Sequence, residues 1–246
     1  MVEYWELKQR VRKFCTFDSR ELKNIFAAIL VLTFIWGFND GHETFEVVRW
    51  TAHLFGVLIM STIAVFTQIF VQKVFAVYHG YKMEFRAWPV GLVLGVIVTF
   101  ITRGNFPLML VGGPTVMHLS RLRVGEFRYG LNTLQTAVSA FFGPLANIVV
   151  AMFLKAVIWQ IMGIQWAWLD EFFIFSMAFA VYSMLPIPPL SGILVYYGLK
   201  LLYIFGFAAM LGYILLIVIF GYYSLIWAFI IGVVVWGSYN LFFEKG

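Results

Sequence analysis

Long apolar runs with almost no charged residues constrain the fold of this chain more than any other feature. The run from about Trp50 to Phe75 contains a single Asp, Glu, Lys or Arg residue, Lys73. It is long enough to cross a ~30 Å hydrocarbon core, which needs about 20 helical residues. Only 12% of the residues are charged, whereas soluble domains carry about 25%. The sequence therefore predicts an all-α, polytopic integral membrane protein.

Further apolar runs predict about six transmembrane helices and one re-entrant element. One stretch is interrupted by Arg103-Gly104-Asn105, and neither of its two pieces reaches the ~20 residues that a helix needs to span the core. We therefore expect this stretch to enter the membrane and return, shielded by neighbouring protein. The remaining spans are predicted at residues 25–38, 134–162 and 172–190, with two more after Ile193.

The placement of basic residues predicts the orientation in the membrane. Lys and Arg are frequent before residue 24 and again at Arg121, Arg123 and Arg128, whereas the loop from Asn39 to Arg49 is acidic. Because cytoplasmic loops carry an excess of Lys and Arg, both termini are expected in the cytoplasm. No basic stripe runs along one face, so a nucleic-acid partner is not expected. The lone Cys15 excludes an intramolecular disulfide.

Two segments, far apart in the chain, carry polar residues and prolines at distinctive spacings. Gln68 and Gln72 are four residues apart, so on a helix their side chains share one face. Much later, Leu185-Pro186-Ile187-Pro188-Pro189-Leu190-Ser191-Gly192 combines helix-breaking prolines with a flexible glycine. Between them lies Phe142-Gly143-Pro144-Leu145-Ala146-Asn147, in which Gly and Pro permit close helix approach and a kink.

Together these segments resemble the active-site motifs of site-2 proteases, which are intramembrane zinc peptidases. The family carries His-Glu-x-x-His on a helix and, later, Pro-Leu-Asp-Gly. In this chain Gln68 and Gln72 occupy the His positions, Ile69 the Glu position and Ser191 the Asp position. The resemblance, which is to archaeal-type members, extends over about residues 18–195. It implies a core of three helices, here in a multi-pass protein of a prokaryotic cell membrane.

The replacements at these positions led us to expect a pseudoprotease rather than an enzyme, with no metal and no cofactor. A neutral amide is a poor zinc ligand beside imidazole, thiolate or carboxylate, and Ile69 cannot accept a proton. The vestigial catalytic positions are Gln68, Ile69, Gln72 and Ser191. The resemblance places the expected binding positions around them, at Asn147, Ser183, Pro186, Pro188, Pro189 and Gly192.

Simpler explanations exist for the same residues. Two Gln on a membrane helix can serve only to join it to neighbouring helices by hydrogen bonds, and a Pro-rich turn can simply connect two spans. The four His residues, at positions 42, 53, 79 and 118, are scattered and form no pair with i, i+4 spacing. Lys155, Asp170, Glu171 and Lys200 are candidates for a transport role, because ionisable residues inside membranes are often functional.

The predicted organisation has three parts. Residues 1–23 form a cytoplasmic tail, 24–192 a site-2-protease-like membrane core and 193–246 a pair of C-terminal transmembrane helices. The favoured function is a subunit of a membrane complex or a binder of transmembrane helices, with other integral membrane proteins as partners in a hetero-oligomer. The alternatives are an active zinc metallopeptidase with non-standard ligands and a small channel or transporter.

Overall fold

A computed structural model describes residues 4–42, 45–118, 131–162, 167–220 and 224–241. Within these ranges the chain forms nine helices and two strands. They are α1 Tyr4–Phe14, α2 Ser19–Gly37, α3 Val47–Tyr78, β1 Tyr81–Ala87, α4 Pro89–Ile101, β2 Gly112–His118, α5 Thr133–Met162, α6 Ala167–Ser183, α7 Ser191–Gly198, α8 Lys200–Phe220 and α9 Ser224–Tyr239. The predicted basic loop at Arg121–Arg128 lies outside the described residues.

Helix α3 lies at the centre of the bundle. It packs against α2 on one side and against α5 and α6 on the other, while α5 also contacts α7. Apolar residues of all these helices form one continuous core, in which α6 contributes the buried aromatic rings of Phe172, Phe173, Phe175 and Phe179. The core thus holds together the segments that carry the sequence motifs.

The two strands correct the expectation of an all-α fold. β1 and β2 pair antiparallel, with Tyr81 opposite His118 and Ala87 opposite Gly112. Tyr81, Met83 and Phe85 are buried and alternate with less buried residues, which is the period-2 pattern of a strand with one face on a core. The alternation is visible in the sequence, but it was overlooked beside the much longer apolar runs.

The segment between the strands leaves the sheet and returns to it. Trp88 N donates to Val111 O at 2.8 Å, so the two ends of the excursion are adjacent. Its far end lies beside the end of α2, where Asn39 Nδ2 donates to Asn105 Oδ1. The outgoing limb is helix α4, whereas the returning limb is extended chain with Met109, Leu110 and Val111 buried.

Two described helices are long and apolar enough to cross a membrane, Val47–Tyr78 and Thr133–Lys155, and the expected six spans are not supported. Three other apolar helices, Pro89–Ile101, Lys200–Leu216 and Trp227–Tyr239, are shorter. The predicted span 172–190 is also too long, because α6 ends at Ser183 before the prolines. The predicted polar tail contains α1, whose Leu7, Val11 and Phe14 recur at helical spacing.

The end of α1 and the two joined ends of the α8–α9 pair lie at the same end of the bundle. The Lys73 ammonium donates to Thr16 O, which places the end of α1 beside the C-terminal part of α3. Asn132, just before α5, donates from its backbone N–H to the Tyr81 hydroxyl. At the beginning of α8, Lys200 lies over the ring of Tyr239 at the end of α9. The α8–α9 pair therefore leaves from and returns to one end.

Candidate functional site

Gln72 is the centre of a buried hydrogen-bonded cluster that joins three helices. Its Nε2 donates to Ser191 Oγ, the first residue of α7, at 3.0 Å and to Ala140 O of α5 at 3.0 Å. The exposed fraction is 2% for Gln72 and 0% for Ser191. Both N–H groups of the amide are therefore satisfied in an environment where an unpaired donor would be costly.

Gln68 makes the corresponding contact one turn earlier on α3. Its Oε1 accepts a hydrogen bond from Asn147 Nδ2 of α5 at 3.1 Å, and both residues are buried. Ile69 is also buried, within the apolar core. The structure thus brings together Gln68 with Asn147 and Gln72 with Ser191. We name these four residues the amide cluster.

Two glycines allow the cluster to pack this closely. A Cβ atom on Gly143 would lie 2.5 Å from Gln72 Nε2 and 2.6 Å from Gln72 Cγ, so α5 can approach α3 only with glycine there. A Cβ on Gly192 would lie 2.0 Å from Met184 O. Gly192 therefore lets α7 begin directly against the end of α6, and this contact places Ser191 opposite Gln72.

The other predicted binding residues do not reach the cluster. Ser183 is buried, but its hydroxyl donates to Ala180 O within its own helix. Pro186 and Pro188 are exposed at the surface of the turn, and the Pro188–Pro189 peptide bond is cis. Pro189 contributes through its backbone, because its carbonyl lies against Gly113 of β2. The prolines therefore shape the turn that positions Ser191.

The donor set of the amide cluster does not fit a zinc ion. Zinc in proteins is held by imidazole, thiolate or carboxylate groups, whereas this cluster offers two carboxamides from α3, a third amide and a hydroxyl. The Gln72 nitrogen is a donor to both of its partners and presents no lone pair to a cation. Among the described residues, no three His, Cys, Asp or Glu side chains converge on a common point.

Sequence reasoning missed a buried ion pair next to the cluster. Lys73 Nζ lies 2.6 Å from Glu21 Oε2, and each side chain is 2% exposed. The same ammonium donates to Thr16 O at 2.9 Å and sits 4.1 Å from the centre of the Phe17 ring. Glu21 Oε1 accepts the backbone N–H of Phe85 at 2.9 Å. Lys73, the one charged residue of an otherwise apolar run, was the signal available in the sequence; Glu21 stands among other charged residues.

A separate group of ionisable residues forms a polar region at the opposite end of the bundle. Lys155 Nζ pairs with Asp170 at 2.6 Å, and Trp36 Nε1 donates to Glu171 at 3.1 Å. In the loop after α2, burial tends to raise the pKa of the Asp40 carboxyl, but hydrogen bonds from Arg49 and His42 outweigh it and lower that pKa. These groups are paired with one another, and none lies in the amide cluster.

Comparison with known proteins finds a distant relative. A Methanocaldococcus jannaschii protein provisionally named a zinc metalloprotease is 28% identical over 184 residues, which cover 72% of this chain and 83% of the relative. No family model and no solved structure matches the chain. This distant similarity supports the protease-like resemblance of the motifs.

This relative contradicts the expectation that the chain is not an enzyme. That expectation rests on the replaced His, Glu and Asp positions. The matched protein is named for a peptidase activity, so the comparison leans toward peptidase chemistry and the prediction of a non-enzyme is wrong. The reason is that substitution within a motif excludes one set of ligands but does not define what the rest of the molecule does.

Proposed function

We propose that this protein is a multi-pass membrane protein that binds a transmembrane helix of another integral membrane protein within a hetero-oligomeric complex. The observation that carries the proposal is the outer face of α4. Six large apolar side chains of this 13-residue helix are between 42% and 76% exposed, namely Val90, Val93, Leu94, Ile97, Phe100 and Ile101. Contiguous apolar surface of this kind is typical of a membrane or protein interaction site.

The inner face of α4 explains why the large residues point outward. Its buried residues are Gly91, Gly95 and Thr99, which recur every four positions. A Cβ on Gly91 or Gly95 would clash with Leu110 O or Leu108 O of the returning limb. The small residues thus let α4 pack on extended chain, while Leu92 packs on the core and Phe100 also contacts Phe34 and Phe38. The exposed face is left for lipid or a partner. Helices in lipid associate through such packing together with a few polar contacts.

The amide cluster favours a partner on the outer surface over one inside the core. Gln68 is 4% exposed and Gln72 is 2% exposed, so a helix reaching them would first have to displace α5 or α7. The excursion that carries α4 is nevertheless connected to the cluster, because Gly113 of β2 packs against Pro189 and Leu190. A helix held against α4 would therefore lie on an element that contacts the Ser191 turn.

Alanine substitution of the α4 face tests the proposal. The variant Val93→Ala/Ile97→Ala/Phe100→Ala removes three side chains from one face, and Ile230→Ala/Val234→Ala/Leu241→Ala is a control with comparable exposure on the described C-terminal segment. We expect native mass spectrometry from mild detergent to show a hetero-complex of the wild-type protein. Its abundance should fall at least tenfold in the first variant and stay unchanged in the control. A strictly monomeric wild-type protein across several extraction conditions would refute the proposal.

Peptidase activity is the second candidate function, and the observation that favours it is the named relative. Such an activity is compatible with helix binding, because a peptidase of membrane segments also has to hold its substrate. The test is incubation of the purified protein in liposomes with a panel of transmembrane peptides, followed by mass spectrometry of the products. Cleavage that requires the protein would establish it, and intact peptides throughout would exclude it for that panel.

A further inference from the structure

Exposed basic side chains collect at the end of the molecule where the described chain begins. We name as the basic patch the exposed residues Lys8, Arg12, Lys13, Arg20, Lys23 and Arg86. Among the described side chains from Trp5 to Lys23, Asp18 is the exposed acidic one, since Glu21 is buried against Lys73. Counted over these described side chains, the patch is therefore strongly positive.

Buried contacts fix the position of this patch relative to the bundle. The Lys73 ammonium binds Thr16 O at the end of α1, and Glu21 in the first turn of α2 accepts the N–H of Phe85 in β1. Helix α1 also packs against α3. The basic side chains of α1, α2 and β1 are thus held on one surface around the C-terminal part of α3.

The length of α3 sets the depth of that surface. At 1.5 Å per residue, its 32 residues extend over about 48 Å, whereas the hydrocarbon core of a bilayer is about 30 Å thick. One or both ends must therefore emerge into the headgroup region if α3 spans the membrane. Helix α1 packs beside the C-terminal part of α3. Its Trp5 is 69% exposed, as suits an amphipathic ring at an interface.

We propose that the basic patch is a binding surface for anionic phospholipid headgroups, with α1 lying at the membrane surface. The charge of the patch is complementary to phosphate-bearing lipids, and each Lys or Arg near an anionic surface raises affinity by about fivefold. Leu7, Val11 and Phe14 of α1 are half-buried, and α1 packs against α3. The exposed Lys8 and Arg12 remain directed away from that contact, toward headgroups. This inference rests on α3 spanning the bilayer, not on any protein partner.

Hydrogen exchange of α1 in lipid nanodiscs tests the proposal with the full-length protein. The wild type is compared in zwitterionic phosphatidylcholine discs and in discs containing 30% phosphatidylglycerol by design, at low and high salt. We expect residues 4–14 to exchange at least fivefold more slowly in the anionic discs. The protection should disappear at high salt, because screening weakens contacts between exposed charges and lipid.

Charge-removing variants identify the residues responsible. Lys8→Gln/Arg12→Gln/Lys13→Gln should abolish the difference between the two kinds of disc. Arg12→Gln should reduce it, whereas Arg103→Gln, which removes an exposed charge beyond the far end of α4, should leave it unchanged. Equal exchange in both discs, or protection that survives the triple substitution, would overturn the proposal. Inorganic phosphate that reproduces the protection in neutral discs would also overturn it, because the patch would then bind anions generally.

Discussion

Gln72 shows at the scale of one residue how a polar group is accommodated deep inside an apolar bundle. Its amide has two N–H groups, and each meets an oxygen from a different helix, Ser191 of α7 and Ala140 of α5. In a low-dielectric interior such fully paired groups hold their partners in one geometry, and an unpaired group is penalised. The residue therefore fixes the relative positions of three helices.

We predict that Gln72→Leu lowers the free energy of unfolding by about 1–2 kcal/mol. Leucine has a similar size, but it leaves the buried Ala140 carbonyl and Ser191 hydroxyl without their donor. The control is Gln9→Leu on the exposed side of α1, for which a change within about 0.5 kcal/mol is expected. Denaturation in mixed detergent micelles measures both, and equal values would show that the cluster contributes nothing to stability.

The geometry of the cluster also predicts a gain of metal binding. Gln68 and Gln72 share one face of α3, and Ser191 is within hydrogen-bonding distance of Gln72. The triple variant Gln68→His/Gln72→His/Ser191→Asp should therefore place two imidazoles and a carboxylate around one point, with zinc ligands of the preferred types. We expect elemental analysis to find about one zinc per chain in this variant and none at this site in the wild type. If the wild type held zinc and Gln72→Leu lost it, the conclusion that the amide cluster does not fit zinc would be wrong.

At the scale of elements, the buried Lys73–Glu21 pair connects four segments that are separate in sequence. It joins α3 to the first turn of α2, to the chain after α1 through Thr16, and to β1 through Phe85. Burying an ion pair costs desolvation free energy, and removing one of the two partners leaves the other charge buried and unpaired. The pair therefore specifies how the N-terminal elements attach to the core.

We predict that Lys73→Met or Glu21→Gln alone destabilises the protein by about 3–5 kcal/mol. The double variant should be less destabilised than the sum of the two, because no lone charge is left behind. Lys82→Met is the matched control: its pair with Glu84 has the same 2.6 Å separation, but the two side chains are 35% and 21% exposed. A cost of less than about 1 kcal/mol is expected there. Additive single effects in the double variant would contradict the coupling.

The elements also show which parts of the fold could be predicted from the sequence. Long uniform patterns gave reliable positions: the run 50–75 corresponds to α3 and 134–162 to α5. Strand β1 has an alternation that the sequence displays, but β2 begins Gly-Gly-Pro and has no such pattern, because its stability comes from pairing with β1 rather than from local preference. The contact of Gln72 with Ser191 followed from the motif resemblance, whereas the Glu21–Lys73 pair depends on a tertiary approach that no local pattern encodes.

At the scale of the whole molecule, the described elements alternate between two ends of the bundle. One end carries α1, the β1–β2 sheet and the meeting point of Lys200 with Tyr239. The other carries Asn39, Asn105 and Glu171, which help to line a recess of about 330 Å³. The excursion 88–111 passes from the first end to the second and returns, although its helix α4 is only 13 residues long. The fold therefore predicts on which side of the membrane the loops within the described ranges lie.

Cysteine labelling can test this arrangement, because the chain has a single natural cysteine, Cys15. In a Cys15→Ser background, new cysteines at Gln9, Lys82 and Met117 should all react with a membrane-impermeant reagent from one and the same side of the membrane. A cysteine at Asn105 should react from the opposite side, since Asn105 is hydrogen bonded to Asn39 beyond the end of α2. The pairing of Lys82 with Met117 in the sheet requires these two to behave alike. If positions 82 and 117 were labelled from opposite sides, β2 could not pair with β1, and the fold that positions Ser191 against Gln72 would have to be rejected.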